Sequence, residues 1–502
     1  MNVVRQIEAL AERGGWLGRT AFWTDGVPLT HAGLHRAAAR AAAGLAARGA
    51  GRGDRVLIAL PDGAGLVAAF LGAAWIGAVA VIVNPDLPAG DHARMVRDCA
   101  PRVIVADAAL RDRYDARHVT PDDLPAALPA GDAAQPVGDP VEVGAGEPLY
   151  VLYTSGTTGS PKGAVHTHGQ LEAYHRCVGR GVLDVAGHDV LLSVSKLYFA
   201  YGFGSALVFP LFTGAAAVLF RRRPTPAEAA AAIGRHGVTL LFSVPSFYAK
   251  LLDHCPPDGF GTLRAAVSAG ERLLPALGEK AARALGAPVL EQIGSTEAGH
   301  AYCANTVLDN TPGTVGRPVP ECELRLRGEA GAPVPDGEIG ELWVRGPMIM
   351  PGYLGAPERT AAVLVDGWLN TRDRMSRRPD GTYVHHGRTD DIEVVGGINV
   401  APAEVEAVLA RHPAVREVAV VSVRDAAGVS ALRAFVVPTP GTDAPRLEPE
   451  LIALARAHLA AFKVPKSVRV TADLPRTHTG KLRRFVLRAQ AAGEPLREDV
   501  PR

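Results

Sequence analysis

The sequence predicts an α/β protein whose large N-terminal domain holds two α/β subdomains and a β-rich subdomain, followed by a small α+β C-terminal domain. Through the first 300 residues, near-continuous apolar strands alternate with helical patterns, which is typical of parallel sheets covered on both faces. From Gly313 onward, short strands separated by Gly/Pro turns indicate a β-rich segment. From Val394, helix and strand patterns return over the length of one compact domain.

In residues 1–150 the periodicity predicts a helix over Thr30–Arg48, capped by Thr30, and a second over Leu66–Ile76. The predicted strands are Arg55–Leu60, Val79–Val83 and Arg102–Ala106. No charged residue lies between Asp62 and Asp86, but interrupting glycines favour a buried helix and strand over a membrane span. The Pro/Gly/Asp-rich stretch Thr120–Gly146 is predicted to be a loop that crosses to the next unit.

Residues 151–300 repeat the alternation. Helices are predicted at Gln170–Cys177 and at Pro226–His236, where Thr225 is the cap. The strands predicted here and just before are Leu149–Leu152, Asp189–Ser193, Ala215–Phe220, Thr239–Val244, Leu263–Ser268 and Val289–Ile293. Beyond them we predict strands Glu323–Arg327, Gly340–Arg345, Val415–Val423 and Arg433–Pro438, and helices Ala403–Arg411 and Pro449–Leu459. Gly387–Asp391 is the predicted linker.

Composition narrows the function classes. With 53 Lys+Arg against 52 Asp+Glu, the chain lacks the basic excess of a nucleic-acid binder. Its five cysteines are scattered without a C-x-x-C pair, which favours free thiols in a reducing compartment over disulfides or a zinc site. The first residues carry no apolar leader, so we expect a cytoplasmic protein without a membrane partner. Monomer and homodimer both remain open.

The loop Tyr153–Gly163 has the densest concentration of polar donors. It holds five Ser/Thr hydroxyls, three glycines and one lysine directly after an apolar strand. Glycines let the backbone form a concave nest of N–H groups around an anion, and Lys162 adds a positive charge. A simple surface turn is the alternative. No Gly-Lys-Ser/Thr follows at the P-loop spacing, so a Walker-type ATPase or kinase is disfavoured.

Other short motifs are ambiguous one by one. Gly294–Glu297 closes an apolar strand, where α/β sheets place ligands, and Glu297 could bind Mg²⁺ or belong to a helix cap. Asp373 could accept hydrogen bonds from a ribose or lie in a turn. Arg388 and Lys481 could supply positive charge at a site or lie in solvated loops.

In this order and spacing, the loop at Tyr153–Gly163, Gly294–Glu297, Gly387–Asp391 and the Lys481 motif resemble the ANL superfamily of adenylate-forming enzymes. The resemblance runs from about residue 20 to about residue 490. It implies an AMP-binding N-terminal domain over residues 1–389 and a mobile C-terminal lid domain over residues 390–502. Asp390 is then the hinge, and Lys481 bridges the acyl carboxylate and the α-phosphate.

The resemblance also assigns the nucleotide site. The β- and γ-phosphates of ATP are expected to bind Thr154, Ser155, Gly156, Thr157, Thr158, Gly159 and Lys162. Thr296 and Glu297 are expected at the α-phosphate and Mg²⁺, and Asp373 and Arg388 at the ribose. The adenine site would be lined by Gly270, Glu271, Gln292, Ile293 and Gly294.

Within the superfamily, Lys196–Gly204 and Gly294–His300 are most similar to benzoate–CoA ligases and related aryl-CoA ligases. The acyl pocket is then expected to be lined by Ala200, Tyr201, Ile293, Gly294, Gly299, His300 and Ala301, with Phe242 or Tyr248 as a further wall. Flat aromatic walls suit a planar ring, although each aromatic could instead be core. Ala200-Tyr201 offers no aspartate for an α-ammonium group, which disfavours amino acids. His300 could bind a ring hydroxyl or amino group, or simply pack.

These features predict an ATP- and Mg²⁺-dependent ligase that converts an aromatic acid to aryl-AMP and then to aryl-CoA. The run Ile392–Gly397 lacks a lysine that many relatives carry near Val394, and Gly396 and Gly397 would border the pantetheine arm. The thiol therefore remains open between CoA and an acyl-carrier protein. A non-catalytic nucleotide-binding protein is disfavoured because the motifs for ATP, Mg²⁺ and the lysine are all intact.

Overall fold

The computed structural model describes residues 2–114, 118–120, 138–154, 161–328, 331–389, 393–395, 398–400, 402–424, 430–442, 444–476 and 482–492. The N-terminal part is built on a seven-stranded sheet, a nine-stranded sheet and a five-stranded sheet. A three-stranded sheet with helices forms the C-terminal part. This is the α/β architecture expected from the sequence.

The seven-stranded sheet has a parallel centre and antiparallel strands at one edge. In spatial order its strands are Gly352–Tyr353, Lys162–Thr167, Pro148–Thr154, Val79–Ile82, Arg55–Ala59, Val103–Ala106 and His118–Val119. The first two pair antiparallel to their neighbours, and the other pairings are parallel. The strand Gly352–Tyr353 thereby brings a distant part of the chain beside the strand that begins at Lys162.

The nine-stranded sheet carries the second α/β subdomain. In spatial order its strands are Arg317–Pro318, Ala301–Ala304, Val289–Gly294, Ala265–Ser268, Leu240–Ser243, Val190–Ser193, Ala216–Leu219, Thr20–Thr24 and Val27–Thr30. The pairings from Val289–Gly294 to Thr20–Thr24 are parallel, and the others are antiparallel. The strand ends at Ser243, Ser268 and Gly294 therefore lie along one edge, as the sequence pattern predicts.

The helices of the N-terminal part span Val3–Gly14, His31–Ala47, Ala64–Trp75, Ala89–Cys99, His168–Tyr174, Ala200–Phe203, Phe209–Thr213, Pro226–His236, Pro245–Leu251, Pro275–Leu285 and Pro357–Ala361. Three further helices, Pro402–Leu409, Ala444–His458 and Arg484–Ala492, pack against the C-terminal sheet. One core cluster joins a face of each large sheet to the helices His31–Ala47 and Ala64–Trp75, and it contains Phe22, Ile58, Leu152 and Phe242. Among the described residues no helix is long and apolar enough to cross a membrane. The uncharged stretch after Asp62 forms Ala64–Trp75 and Val79–Ile82.

The predicted helix Pro226–His236 has the expected bounds, because Thr225 and Glu228 form a reciprocal capping box. The prediction that a helix starts at Pro449 is wrong, since the helix spans Ala444–His458 and contains Pro449. Leu447 and Leu451 lie four residues apart in the same C-terminal core, which holds the turns on both sides of the proline together.

The third sheet contains Glu323–Arg327, Ile339–Arg345, Trp368–Arg377, Leu364–Val365 and Tyr383–Arg388. The predicted linker begins too early, because Gly387 and Arg388 belong to the last of these strands and pair with Arg374 and Asp373. The C-terminal sheet contains Val415–Arg424, Ser430–Pro438 and Ser467–Val470, and a short hairpin joins Glu393–Val395 to Ile398–Val400.

Candidate active site

The predicted phosphate loop connects two antiparallel strands of the seven-stranded sheet. Thr154 ends one strand, and Lys162 begins the next directly opposite it. The side chain of Lys162 lies over Tyr353, with Nζ 5.6 Å from the centre of the ring. The predicted loop residues Ser155, Gly156, Thr157, Thr158 and Gly159 lie outside the described residues.

Tyr353 also contacts the predicted magnesium residue. Its hydroxyl donates a hydrogen bond of 2.8 Å to Glu297 Oε1, and the N–H of Met350 donates one of 2.8 Å to the backbone oxygen of Glu297. Burial, reinforced by the Glu297 carboxylate, raises the pKa of Tyr353, so this hydroxyl stays protonated and remains a donor. Lys162 and Glu297 are therefore brought to opposite parts of one aromatic side chain.

A buried hydrogen-bond relay holds the backbone of Thr296. The Tyr150 hydroxyl donates to the Tyr174 hydroxyl at 3.0 Å, which donates to His166 Nδ1 at 2.7 Å. Burial lowers the pKa of His166 to about 4, so its ring is neutral near pH 7. Because the backbone oxygen of Thr296 can only accept a hydrogen bond, Nε2 carries the proton. Nε2 then donates to the Thr296 oxygen at 2.8 Å. The relay fixes the segment that carries Thr296 and Glu297.

Gly299 completes this turn at a position that only glycine fits. Its φ is +70°, and a Cβ there would lie 2.3 Å from the Tyr174 hydroxyl oxygen. A side chain would therefore both strain the backbone and displace the relay.

Asp373 is a buried carboxylate paired in register with Arg388. Its Oδ2 accepts a hydrogen bond of 2.6 Å from the Tyr302 hydroxyl. Its Oδ1 lies 3.4 Å from His385 Nε2 and 3.7 Å from Arg388 Nη1. Burial alone would raise its pKa, but His385, Arg388 and Tyr302 outweigh burial and lower the pKa of Asp373 to about 2. Asp373 is therefore an anionic acceptor beside Arg388, the pair predicted to bind a ribose.

The predicted adenine residues come from the ends of neighbouring parallel strands. Gln292, Ile293 and Gly294 end Val289–Gly294, and Gly270 follows the adjacent strand Ala265–Ser268. Gln292 is buried, and its Oε1 has no hydrogen-bond partner within the described part of the chain. Glu271 accepts hydrogen bonds from Ser246 N at 3.2 Å and Oγ at 3.1 Å.

The predicted acyl residues Ala200 and Tyr201 begin a helical segment that includes a π-helical stretch, Gly204–Val208. The Tyr201 hydroxyl donates to the Val267 oxygen at 2.8 Å, and its ring lies 5.9 Å from His300 and 6.0 Å from Phe242 between centres. Close approach to His300 needs glycine at Gly204, where a Cβ would lie 2.2 Å from His300 Cδ2.

His300 is buried, with 3% of its surface exposed, and is flanked by aromatic rings. Within the described residues neither of its ring nitrogens has a hydrogen-bond partner. Burial lowers its pKa to about 4, so the ring is neutral and offers one donor and one acceptor. Ala301, also buried, follows it with only a methyl side chain. Of the two further walls predicted, Phe242 lies on this side, whereas Tyr248 packs in the core cluster on the opposite face of the nine-stranded sheet.

Four further predicted residues, the hinge Asp390 together with Gly396, Gly397 and Lys481, also lie outside the described residues. No group of three or more His, Cys, Asp or Glu that could hold a metal ion occurs among the residues that the structure describes. Mg²⁺ is commonly bound by one or two carboxylates together with substrate phosphates, and a single Glu297 beside a phosphate loop fits that mode.

Comparison with known proteins identifies the family. A profile described as "AMP-binding enzyme" matches residues 10–354, and "AMP-binding enzyme C-terminal domain" matches residues 404–481. The chain belongs to the AMP-binding enzymes. This family is the adenylate-forming superfamily expected from the motifs, and the predicted enzyme class, an AMP-forming acid–thiol ligase, is confirmed.

Several members of the family resemble the whole chain. The p-hydroxybenzoic acid–AMP ligase FadD22 of Mycobacterium tuberculosis is 40% identical over 500 residues, covering 99% of this chain and 70% of that protein. A benzoate–CoA ligase of Thauera aromatica is 37% identical over 87% of this chain and 86% of its own. A solved benzoate CoA ligase from Burkholderia xenovorans superposes with a TM-score of 0.90 at 35% identity, over 97% of this chain and 100% of that one.

In this member of the family, several residues at the site carry no signal that a single sequence reveals. Tyr353, His166 and His385 are far in sequence from the groups they contact and lie in no recognised motif. A buried ion pair just before the helix Ala200–Phe203 was also missed, in which Lys196 Nζ lies 3.0 Å from Asp62 Oδ2. Asp62 Oδ1 accepts from Leu197 N at 3.1 Å, so this pair anchors the chain just before Ala200.

Proposed function

We propose that this enzyme activates a benzoate-type acid, unsubstituted or carrying a small ring substituent, first to aryl-AMP and then to a CoA thioester. The observation that carries the proposal is the set of residues around His300. The rings of Tyr201 and Phe209 lie beside His300, the ring of Phe242 lies beside Tyr201, and the small residues Ala200 and Ala301 belong to the same core cluster. Flat apolar walls with few polar groups suit a planar ring whose carboxylate points out of the pocket.

His300 supports a hydroxyl or amino substituent on that ring. A neutral imidazole that makes no hydrogen bond to the described residues offers both a donor and an acceptor, which matches a hydroxyl group. Burying an unpaired polar atom costs about 1–3 kcal/mol, and a substrate hydroxyl would recover that cost. The name of the mycobacterial relative, p-hydroxybenzoic acid–AMP ligase, agrees with this substrate class.

The proposed reaction has two steps. A carboxylate oxygen of the acid forms a bond to the α-phosphorus of ATP, and pyrophosphate leaves with the electrons of the broken P–O bond. The thiolate then attacks the acyl carbon, and AMP leaves with one of the former carboxylate oxygens. No covalent enzyme intermediate is required, so the protein acts by positioning and by charge stabilisation.

Each step needs charge neutralised at a defined place. Lys162 would compensate the terminal phosphates from above Tyr353, and Lys481 would approach the reacting carboxylate and α-phosphate. Mg²⁺, when bound through Glu297, supplies Lewis-acid stabilisation of the phosphate oxygens. Asp373, anionic because its pKa is about 2, would hold the ribose hydroxyls and so fix the nucleoside.

An acid panel tests this function. Pyrophosphate release and thioester formation are measured with benzoate, its three monohydroxy isomers, anthranilate, a fatty acid and phenylalanine. We expect turnover confined to the aromatic acids, with a hydroxylated acid preferred over benzoate. In a His300→Phe variant that preference should fall by about tenfold while benzoate turnover is less affected. Release only with fatty or amino acids would refute the substrate class.

A second acceptor is favoured by one specific observation. The relative at 40% identity is named for its adenylate product and not for a CoA thioester. The same panel is therefore run with CoA and, in parallel, with a phosphopantetheinylated acyl-carrier protein. Adenylate formation with transfer only to the carrier would replace CoA as the acceptor and leave the aryl-acid specificity intact.

A further inference from the structure

The segment that follows Gly270 contacts the C-terminal domain at two points. Arg476, in the C-terminal domain, donates a hydrogen bond of 2.7 Å from Nη1 to Glu271 Oε1. The next residue, Arg272, donates a hydrogen bond of 2.9 Å from Nη1 to the backbone oxygen of Ala403. Ala403 is the second residue of the helix Pro402–Leu409. Glu271, predicted to line the adenine site, and its neighbour Arg272 therefore contact the C-terminal domain at Arg476 and at Ala403.

The contacts of Arg476 are largely shielded from solvent, since its side chain is 22% exposed. Arg476 Nη2 also donates 2.7 Å to Glu417 Oε2, whose side chain is 7% exposed. Glu271 is itself held by the backbone and side chain of Ser246 and is 14% exposed in its side chain. One guanidinium thus bridges a carboxylate from each domain, in the fork geometry for which arginine is suited and lysine is not. Exposed ion pairs are worth little, but this one is largely desolvated at both ends.

We propose that Glu271, Arg272 and Arg476 form an interdomain clasp that holds the C-terminal domain in the orientation for adenylate formation. The inference rests on the proposed function. Arg476 precedes Lys481 by five residues, and five residues span at most about 18 Å of extended chain. Anchoring Arg476 to Glu271 therefore limits how far Lys481 can lie from the predicted adenine residues. Arg476 is a positioning residue, since it acts through the placement of Lys481.

The clasp must act unequally on the two steps. If the domain reorients about Asp390 before the thiol attacks, the bonds of Arg476 to Glu271 and of Arg272 to Ala403 break at that point. Loss of the clasp then slows adenylation and leaves transfer from a ready-made adenylate unchanged or faster. A residue needed only for folding would impair both steps equally.

The test separates the half-reactions. Single-turnover formation of aryl-AMP from acid and ATP is compared with thioester formation from synthetic aryl-AMP and CoA, in wild type, Arg476→Ala, Glu271→Gln and Arg272→Ala. The matched control is Arg469→Ala, an exposed arginine of the same domain whose side chain makes one hydrogen bond among the described residues, to the oxygen of Gln490. We expect Arg476→Ala to slow adenylation by about 10- to 100-fold, with transfer from supplied aryl-AMP within about twofold of wild type.

Two further measurements keep the result decisive. In a double-mutant cycle, Arg476→Ala combined with Glu271→Gln should be no worse than the more severe single variant. Hydrogen exchange, which needs no activity, should accelerate in peptides 271–274 and 402–409 of Arg476→Ala but not of Arg469→Ala. Equal losses in both half-reactions, or unchanged exchange in those peptides, would overturn the clasp. If the wild-type enzyme formed no aryl-AMP, the proposed function would be refuted. The hydrogen-exchange comparison would then still test whether Arg476 holds the two domains together.

Discussion

The hydroxyl of Tyr353 donates a 2.8 Å hydrogen bond to Glu297 Oε1, while Lys162 Nζ lies 5.6 Å from the centre of the same ring. One aromatic side chain therefore separates the cation assigned to the terminal phosphates from the carboxylate assigned to Mg²⁺. The bond holds Glu297 Oε1 against the Tyr353 hydroxyl. Tyr353 reaches this place because Gly352–Tyr353 pairs with the strand that begins at Lys162.

Removing that hydroxyl should weaken metal-dependent catalysis. Tyr353→Phe keeps the ring beneath Lys162 but frees Glu297 to rotate. Hydrogen bonds to charged groups contribute about 1.5–3 kcal/mol, so we expect roughly a tenfold or greater fall in adenylation rate. The Mg²⁺ concentration for half-maximal pyrophosphate release should rise. Tyr114→Phe, far along the chain and hydrogen-bonded to His92, is the control. An unaltered Mg²⁺ dependence in Tyr353→Phe would contradict this role.

Replacing Asp373 should affect both nucleotide binding and the pH dependence of stability. Asp373→Asn keeps the side-chain volume but loses the charge, so the KM for ATP should rise about 10-fold or more. Because the pKa of Asp373 is lowered to about 2, its contribution to stability is complete above the unfolded value near 4 and disappears as the pH falls toward 2. This contribution is about 2 kcal/mol. In urea unfolding, the free energy of unfolding should fall less between pH 6 and pH 3 for Asp373→Asn than for wild type. An equal fall in both proteins would show that the folded state does not stabilise the charge of Asp373.

The ion pair of Lys196 and Asp62 should be essential for stability. The two side chains are 5% and 4% exposed, and Lys196 Nζ also donates to the oxygen of Phe220. Lys196→Met leaves a buried carboxylate without its partner, which costs about 3–5 kcal/mol. The double variant Lys196→Met/Asp62→Asn should recover part of that loss in urea unfolding. An unchanged midpoint for Lys196→Met would mean that the pair contributes nothing.

The sequence correctly predicted those helices and strands that depend on residues close together in the chain. The helix Pro226–His236 follows from its own capping residues, and the strands around Val79 and Val289 follow from continuous apolar runs. The sequence also grouped Thr154 with Lys162 and Asp373 with Arg388 by expected role, and each pair lies on adjacent strands. Their roles stay predictions.

Contacts that depend on tertiary structure were not predictable from one sequence. Tyr248 looks like a pocket aromatic, but it lies on the helix Pro245–Leu251, which packs in the core on the opposite face of the nine-stranded sheet. His166 supports Thr296 from 130 residues away, and Arg476 meets Glu271 across 205 residues. Such pairs form because whole subdomains are placed next to each other. Hydrophobic periodicity predicts single helices and strands but not the arrangement of subdomains.

The most direct test of the central claim follows oxygen atoms. An aromatic acid labelled with ¹⁸O in both carboxylate positions is incubated with ATP, Mg²⁺ and the thiol acceptor, and the products are analysed by mass spectrometry. Attack of the carboxylate on the α-phosphorus, followed by acyl transfer, predicts one ¹⁸O in AMP and none in pyrophosphate. Label in a released phosphate other than AMP, or AMP without label, would contradict an aryl-AMP intermediate.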